Sequence, residues 1–371
     1  MNSFCDIRIS RKDSEHIRGI AILLIMLHNL CHIFPRVVTE NEFTYNPALN
    51  DLFISHVKTG NPLSGYDFLS FLGWYGVPVF VFLSGYGLAV KYGMMATRLR
   101  LSFFMMRSWR KLLLLMIPGV AAFLLEELLH SGIPSAESSR LFAGILIPLT
   151  GLNDVVQPWL PTVPGVYWYF GLTLELYFVY AVLIHGRPLW PAVVATTLCY
   201  LLVATCAATG HTQATEYLRH NFTGWLLPFL MGTMWARRKE CRKVMAVVLM
   251  TASAFLFFPI QLNALTWQGA SVPAVILIVC GAWGVKRVPG VSQGLAFIGR
   301  LSPFLFVSHP ITRHILGRYL LDFSSPGATP TLFILGLYLT LSILTAICYR
   351  YAWDRLFRIC MRSIGSGAPN T

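Results

Sequence analysis

Arg18 and His28 stand ten residues apart in RGIAILLIMLHNLCHIF (18–34), a stretch otherwise made of lipid-soluble residues. An imidazole titrates near working pH, so it can act as a general base or carry a proton. At 1.5 Å of rise per residue, His28 lies roughly 15 Å beyond Arg18, about half of the ~30 Å hydrocarbon thickness. His32 follows one turn later, and Arg18, Ala21, Ile25, His28, Asn29 and His32 share an arc of about 100° on an ideal helix. Polar residues are expensive in a bilayer, so that face must turn into a bundle. There the two histidines are either bonded to neighbouring groups or serve as base. Two rings on one face of one helix cannot be trans-axial ligands of one haem iron.

Other polar residues interrupt apolar runs further along. In GVPVFVFLSGYGLAVKYG (76–93), Ser84 sits among small residues that either pack helices closely or let backbone and hydroxyl approach a ligand. In FFMMRSWRKLLLLMIPG (103–119), Arg107, Arg110 and Lys111 either mark topology or hold an anionic cytosolic group, since two guanidinium groups three residues apart suit phosphate. Glu175 lies at mid-depth in GVYWYFGLTLELYFVYAVL (165–183) and needs a His or Arg partner or a proton. In GLAFIGRLSPFLFVSHPITRHI (294–315), Arg300 is near the cytoplasmic end, His309 is deep, and Pro303 and Pro310 free carbonyls that a cavity can use. Glu126, Glu127, His130, Asp154 and Trp159 are candidates for an extracytoplasmic mouth.

The elements that position these groups are transmembrane helices. The 371 residues are 55% hydrophobic and 12% charged, with mean hydropathy +0.60, which excludes a soluble composition. Apolar segments at 17–34, 68–90, 112–130, 165–184, 190–209, 222–236, 244–260, 267–285, 294–320 and 330–350 predict an all-α, polytopic bundle of about ten spans. The stretch 141–152 is short and broken by Pro148 and Gly151, so a re-entrant or interfacial piece is expected. Basic clusters at 8–18, 91–111, 237–243, 286–287 and 350–362 then all fall on one side, giving cytoplasmic termini. The net charge of +13 reflects this topology and attraction to anionic lipid rather than nucleic acid. Eight cysteines without a C-x-x-C suggest neither disulfides nor a metal site. The chain reads as one transmembrane domain, with a short cytoplasmic segment 1–16 and a disordered tail from about 360 to 371.

Arg18-Gly19-Ile20-Ala21 with His28, then FVFLSGYGL, Arg107-x-x-Arg110, VYWYFGLTLELY and IGRLSPFLFVSHP resemble, in order, the motifs of the acyltransferase-3 family of integral membrane acyltransferases. The resemblance implies transfer of an acyl group, usually acetyl, from cytoplasmic acyl-CoA to a hydroxyl of an extracytoplasmic glycan or lipid-linked glycan, in a bacterial cytoplasmic (inner) membrane. Acyl-CoA is then a co-substrate, and no permanently bound cofactor or metal is implied. His28 takes the family's catalytic position, Arg18 its first-helix arginine, and Arg107 and Arg110 its donor contacts, to which the neighbouring Lys111 adds a further cation for the donor's phosphates. On this reading Glu175 orients the imidazole, His309 is a second buried imidazole, Ser84 approaches the donor, and Arg300 neutralises charge near the donor's entrance. The family places its histidine eleven residues after the basic residue; here the spacing is ten and Asn29 holds the eleventh place, a rotation of about 100° that leaves His32 as an alternative. A different class, a proton-coupled transporter relaying through His28, Glu175 and His309, is the competing expectation.

Overall fold

The computed structural model describes residues 9–93, 99–131, 139–157, 159–237, 243–320, 322 and 330–365. Arg98 and residues 238–242, expected in basic clusters, lie outside them. Among the described residues the chain is all-helical, without strands. The elements are α1 (Arg11–Cys31), α2 (Pro47–Thr59), α3 (Ser64–Leu72), α4 (Gly76–Tyr92), α5 (Leu101–Ser131), α6 (Ser139–Leu146), α7 (Asn153–Val156) and α8 (Trp168–Val179). They continue with α9 (Trp190–Ala208), α10 (Thr212–His220), α11 (Leu226–Arg237), α12 (Lys243–Gln261), α13 (Ser271–Val285), α14 (Pro289–Ile315) and α15 (Leu332–Gly365).

All ten apolar segments fall on helices, and among the described residues seven helical stretches are long and apolar enough to cross a membrane: Ser64–Tyr92, Leu101–His130, Gly165–Ile184, Trp190–Ala208, Trp267–Val285, Pro289–Tyr319 and Leu332–Arg355. The other three segments lie on α1, α11 and α12. α1 opens with Arg11, Lys12, Asp13, Glu15 and Arg18, which dilute its apolar character. α11 has 12 residues, roughly 18 Å of helix against a ~30 Å core. The stretch 141–152 forms α6 and a 3₁₀ turn at Ile147–Thr150, stopped by Gly151 at φ 72°. α15 runs to Gly365, and residues 366–371 of the expected tail lie outside the described ones. Apolar side chains that remain highly exposed, such as Phe103, Leu129, Phe255, Leu332 and Phe333, are those a lipid phase would cover.

α1 starts at a capping box in which Ser10 and Asp13 satisfy each other's backbone amides. It is then fixed at its N-terminal end by ion pairs from Asp13 to Lys286 and from Glu15 to Arg300. Burial works against the Asp13 carboxylate, but Lys286 and Ser10 hold it below the usual carboxylate range. α1 lies alongside α14, and Gly299 allows the crossing because a Cβ there would strike the Glu15 carbonyl. Their joint core includes Ile22, Met26, Leu30, Leu301 and Leu305 with Tyr338 of α15. α4 packs against α11, and an aromatic core of Trp74, Tyr75, Trp168, Trp225, Phe229 and Trp267 closes the other side of α1.

Candidate active site

The polar face of α1 turns inward. His28 is buried, and its backbone lies against Gly73, where any Cβ would meet His28 Cβ and the Leu24 carbonyl. That close approach brings the end of α3 over the ring, and His28 Nδ1 lies 2.5 Å from the Ser70 carbonyl oxygen. A carbonyl only accepts, so Nδ1 carries the proton and donates, and Nε2 keeps its lone pair. The ring borders a chamber of about 10 Å³ walled by Asn29, Glu42, Trp74, Trp168, Tyr169 and Phe306. It has room for about one water.

Two more imidazoles stand nearby. The His32 ring centroid is 5.0 Å from that of His28. His309 is fully buried, and its Nδ1 donates to the Leu305 carbonyl at 2.9 Å within α14. Nε2 of both His32 and His309 finds no hydrogen-bond partner among the described residues. Arg313, one turn beyond His309, donates to the Asn29 carbonyl at 2.8 Å, and its charge acts on all three rings. It ties α14 to α1 close to His28.

Toward the N-terminal end of α1 a cavity of about 420 Å³ opens between α1, α4, α5 and α8. Arg18, Lys91, Arg107 and Lys111 line it together with Ser14, Ser84 and Ser108, and no carboxylate among the described residues does. Arg18 is steadied by its Nε donating to the Ser14 carbonyl at 3.1 Å. The expected Arg107 and Arg110 pair is not what lines this cavity: Arg107 and Lys111, one turn apart, do so, while Arg110 is not part of its wall. Arg300 is likewise outside it, held to Glu15 at 3.0 Å. Ser84 faces the phenols of Tyr169 and Tyr177. Tyr177 lines the cationic cavity and Tyr169 lines the His28 chamber, so Tyr169 and Ser84 form the partition between the two spaces.

Glu175 does not serve His28. Its Oε2 accepts from the Phe222 backbone amide at 2.7 Å, while the Nδ1 proton of His28 is taken by Ser70. The carboxylate that lines the chamber is Glu42, from the loop between α1 and α2. Its backbone carbonyl accepts from Arg219 Nε at 2.7 Å, and Arg219 NH1 donates to the Gly224 carbonyl at 2.6 Å. The guanidinium is buried 4.2 Å from the Trp225 ring, 5.1 Å from Trp267 and 5.8 Å from Trp74. Burial lowers the Arg219 pKa to about 10 although Glu42 works the other way. Burial also raises the carboxyls of Glu42 and Glu40, the latter to about 8, and drops His220 to about 4.

The expected outer-mouth residues are dispersed. Glu126 is paired with His314 at 2.9 Å and with Arg318 at 2.7 Å, and Arg318 also reaches Glu127 at 3.1 Å. Glu126, Glu127 and His314 could approach one cation, but the Arg318 guanidinium already neutralises that cluster. Asp154 is buried beside Asn153, Trp159 is 68% exposed, and His130 lies near Tyr319. The functional groups missed in the sequence are Arg313, Arg219, Glu42 and the Ser70 carbonyl. Arg313 carried a usable signal, a cation one turn after His309 in an apolar helix. A backbone carbonyl carries none.

A family model described as an acyltransferase domain, Acyl_transf_3, matches residues 11–350. No curated protein and no solved structure matches the chain.

Proposed function

The chain belongs to the acyltransferase-3 family, and from this we propose that it carries an acyl group, acetyl in the simplest case, from cytoplasmic acyl-CoA to a hydroxyl of an extracytoplasmic glycan or lipid-linked glycan, with His28 as general base. As a multi-pass membrane acyltransferase it needs a donor, an acceptor and lipid around it; the bacterial inner membrane is the setting we propose. The observation that carries the reading is the pair of spaces sharing the Tyr169–Ser84 partition: a cationic cavity on one side and the His28 ring on the other.

Arg107 and Lys111, with Arg18 and Lys91, hold the phosphates of the donor. The pantetheine arm passes Ser84, and a turn of the Tyr169 ring joins the cavity to the chamber. The thioester then lies beside His28. Nε2 removes the proton of the acceptor hydroxyl, the oxygen forms a bond to the thioester carbonyl carbon, and the carbon–sulfur bond breaks. The thiolate leaves as coenzyme A and takes the proton from the imidazolium, so the ring returns to its starting form. Arg313 and the Asn29 amide, fixed to each other, keep the helix-one face in register. No observation calls for the transporter reading.

Mass spectrometry of envelope glycans with and without the protein tests this. Loss of one acyl mass per modified unit is expected in its absence. Identical glycan masses, together with no coenzyme A release from labelled acetyl-CoA by membranes holding the protein, would sink the proposal.

A further inference from the structure

A second cavity, of about 740 Å³, opens where the chain leaves α1. Its polar lining consists of Arg36, His56 and Asn61, and its apolar lining includes Val37, Leu52 and Leu63. The Arg36 guanidinium and the Asn61 amide offer donors there. The Arg36 side chain is exposed and has no hydrogen bond or ion pair among the described residues. Asn61 Oδ1 already accepts from the Leu63 amide at 2.9 Å, which leaves its NH₂ for a ligand. His56 Nδ1 donates to Asp67 Oδ2 at 2.8 Å, which fixes the ring and leaves Nε2 free. Asp67 is fully buried, and its Oδ1 accepts from the Val38 amide at 2.8 Å, so the carboxylate is consumed behind the ring. No carboxylate among the described residues lines the cavity itself. Arg36 is also the one non-glycine residue with positive φ among the described residues, at 72°, a conformation that needs a reason.

We infer that this cavity binds an anionic oxygen group, a phosphate on the sugar or lipid portion of the acceptor, through Arg36 and Asn61. The inference rests on the acyl-transfer reading for the word acceptor, and on the cavity alone for the anion. Its position supports the link to the reaction. Asp67, which orients His56, and Ser70, which holds His28, are three residues apart on α3, about 5 Å of helix rise. The cavity is therefore joined, through the His56–Asp67 bond, to the same short helix that positions His28. The cavity volume suits a mono- or disaccharide unit, and the apolar wall of Val37, Leu52 and Leu63 suits the start of a lipid or the face of a sugar ring.

The test is thermal unfolding of the purified full chain in phosphatidylcholine nanodiscs with glucose 1-phosphate or glucose as probe. Glucose 1-phosphate should raise Tm saturably and glucose should not. Arg36→Gln and Asn61→Asp should each weaken the glucose 1-phosphate effect by about tenfold or more, as expected when a charge-assisted bond is lost or a like charge is introduced. Asn61→Asp keeps the oxygen that accepts from Leu63, so it does not disturb the turn. Nanodiscs containing phosphatidylglycerol separate the two sources of phosphate. Competition with glucose 1-phosphate assigns the site to a lipid headgroup, and indifference assigns it to a phosphosugar. Equal Tm shifts with glucose and glucose 1-phosphate, or shifts unchanged in both variants, overturn the inference. This readout needs no turnover, so an inactive donor reaction would strike the acyl-transfer reading and leave the cavity untouched.

Discussion

Replacing His28 by Asn separates its two nitrogens. In Asn the side-chain NH₂ stands where Nδ1–H stands, so the bond to the Ser70 carbonyl is kept. Such a bond contributes about 1 kcal/mol net, and leaving the buried carbonyl orphaned costs about 1–3 kcal/mol. His28→Asn should therefore fold with stability close to the native protein, whereas His28→Ala adds an orphan carbonyl and a cavity, together roughly 2–4 kcal/mol. What Asn lacks is the basic nitrogen on the chamber side. Loss of a general base removes about 10²–10⁴ of rate, or roughly 3–5 kcal/mol of barrier. The assay is coenzyme A thiol release from acetyl-CoA in membranes, with acceptor present, run beside thermal melts. The expected result is a native-like melt, an unchanged donor KM and a kcat down by that factor. A His28→Asn protein working within tenfold of the native rate refutes the assignment of Nε2 as base and transfers the question to His32, whose ring lies 5.0 Å away.

Three other outcomes are expected. Arg107→Ala and Lys111→Ala, which remove cations lining the cationic cavity, should each raise donor KM about fivefold or more, while Arg110→Ala changes it less than about twofold; initial-rate kinetics over acetyl-CoA concentration decide, and an effect at Arg110 equal to that at Arg107 would contradict the placement. Glu40 is 1% exposed, and burial raises its carboxyl to about 8 from 4.5. The folded protein thus holds a proton that the unfolded chain releases, so stability is greatest below pH 4.5 on this account and declines as pH rises through about 8. Glu40→Gln should remove that decline, worth at most ~5 kcal/mol, seen as a higher Tm at pH 9 than the native protein; equal slopes of Tm against pH would show that Glu40 is not the source. Gly299→Ala drives a Cβ into the Glu15 carbonyl and should destabilise the α1–α14 crossing by about 1–3 kcal/mol, lowering Tm in a thermal melt despite alanine's better helix propensity.

The sequence by itself determined the all-helical bundle, because an apolar chain in lipid must satisfy its backbone bonds within each segment. It also determined that His28 faces inward, since a polar stripe on an apolar helix has no other low-energy direction. The basic stretch at 107–111 was visible as a cationic patch, but not which of its members enters the cavity. Each residue turns a helix by about 100°, so the orientation of α5 against α4 decided for Lys111 and against Arg110. Likewise, Glu175 was the evident carboxylate because it interrupts a span, yet the Phe222 amide satisfies it and the carboxylate in the chamber, Glu42, comes from a loop held by Arg219 and three tryptophans. The group that sets the tautomer of His28 is a main-chain carbonyl, which every residue possesses and no residue type announces. Periodicity fixes which face of an element is polar; only packing between elements decides what that face meets.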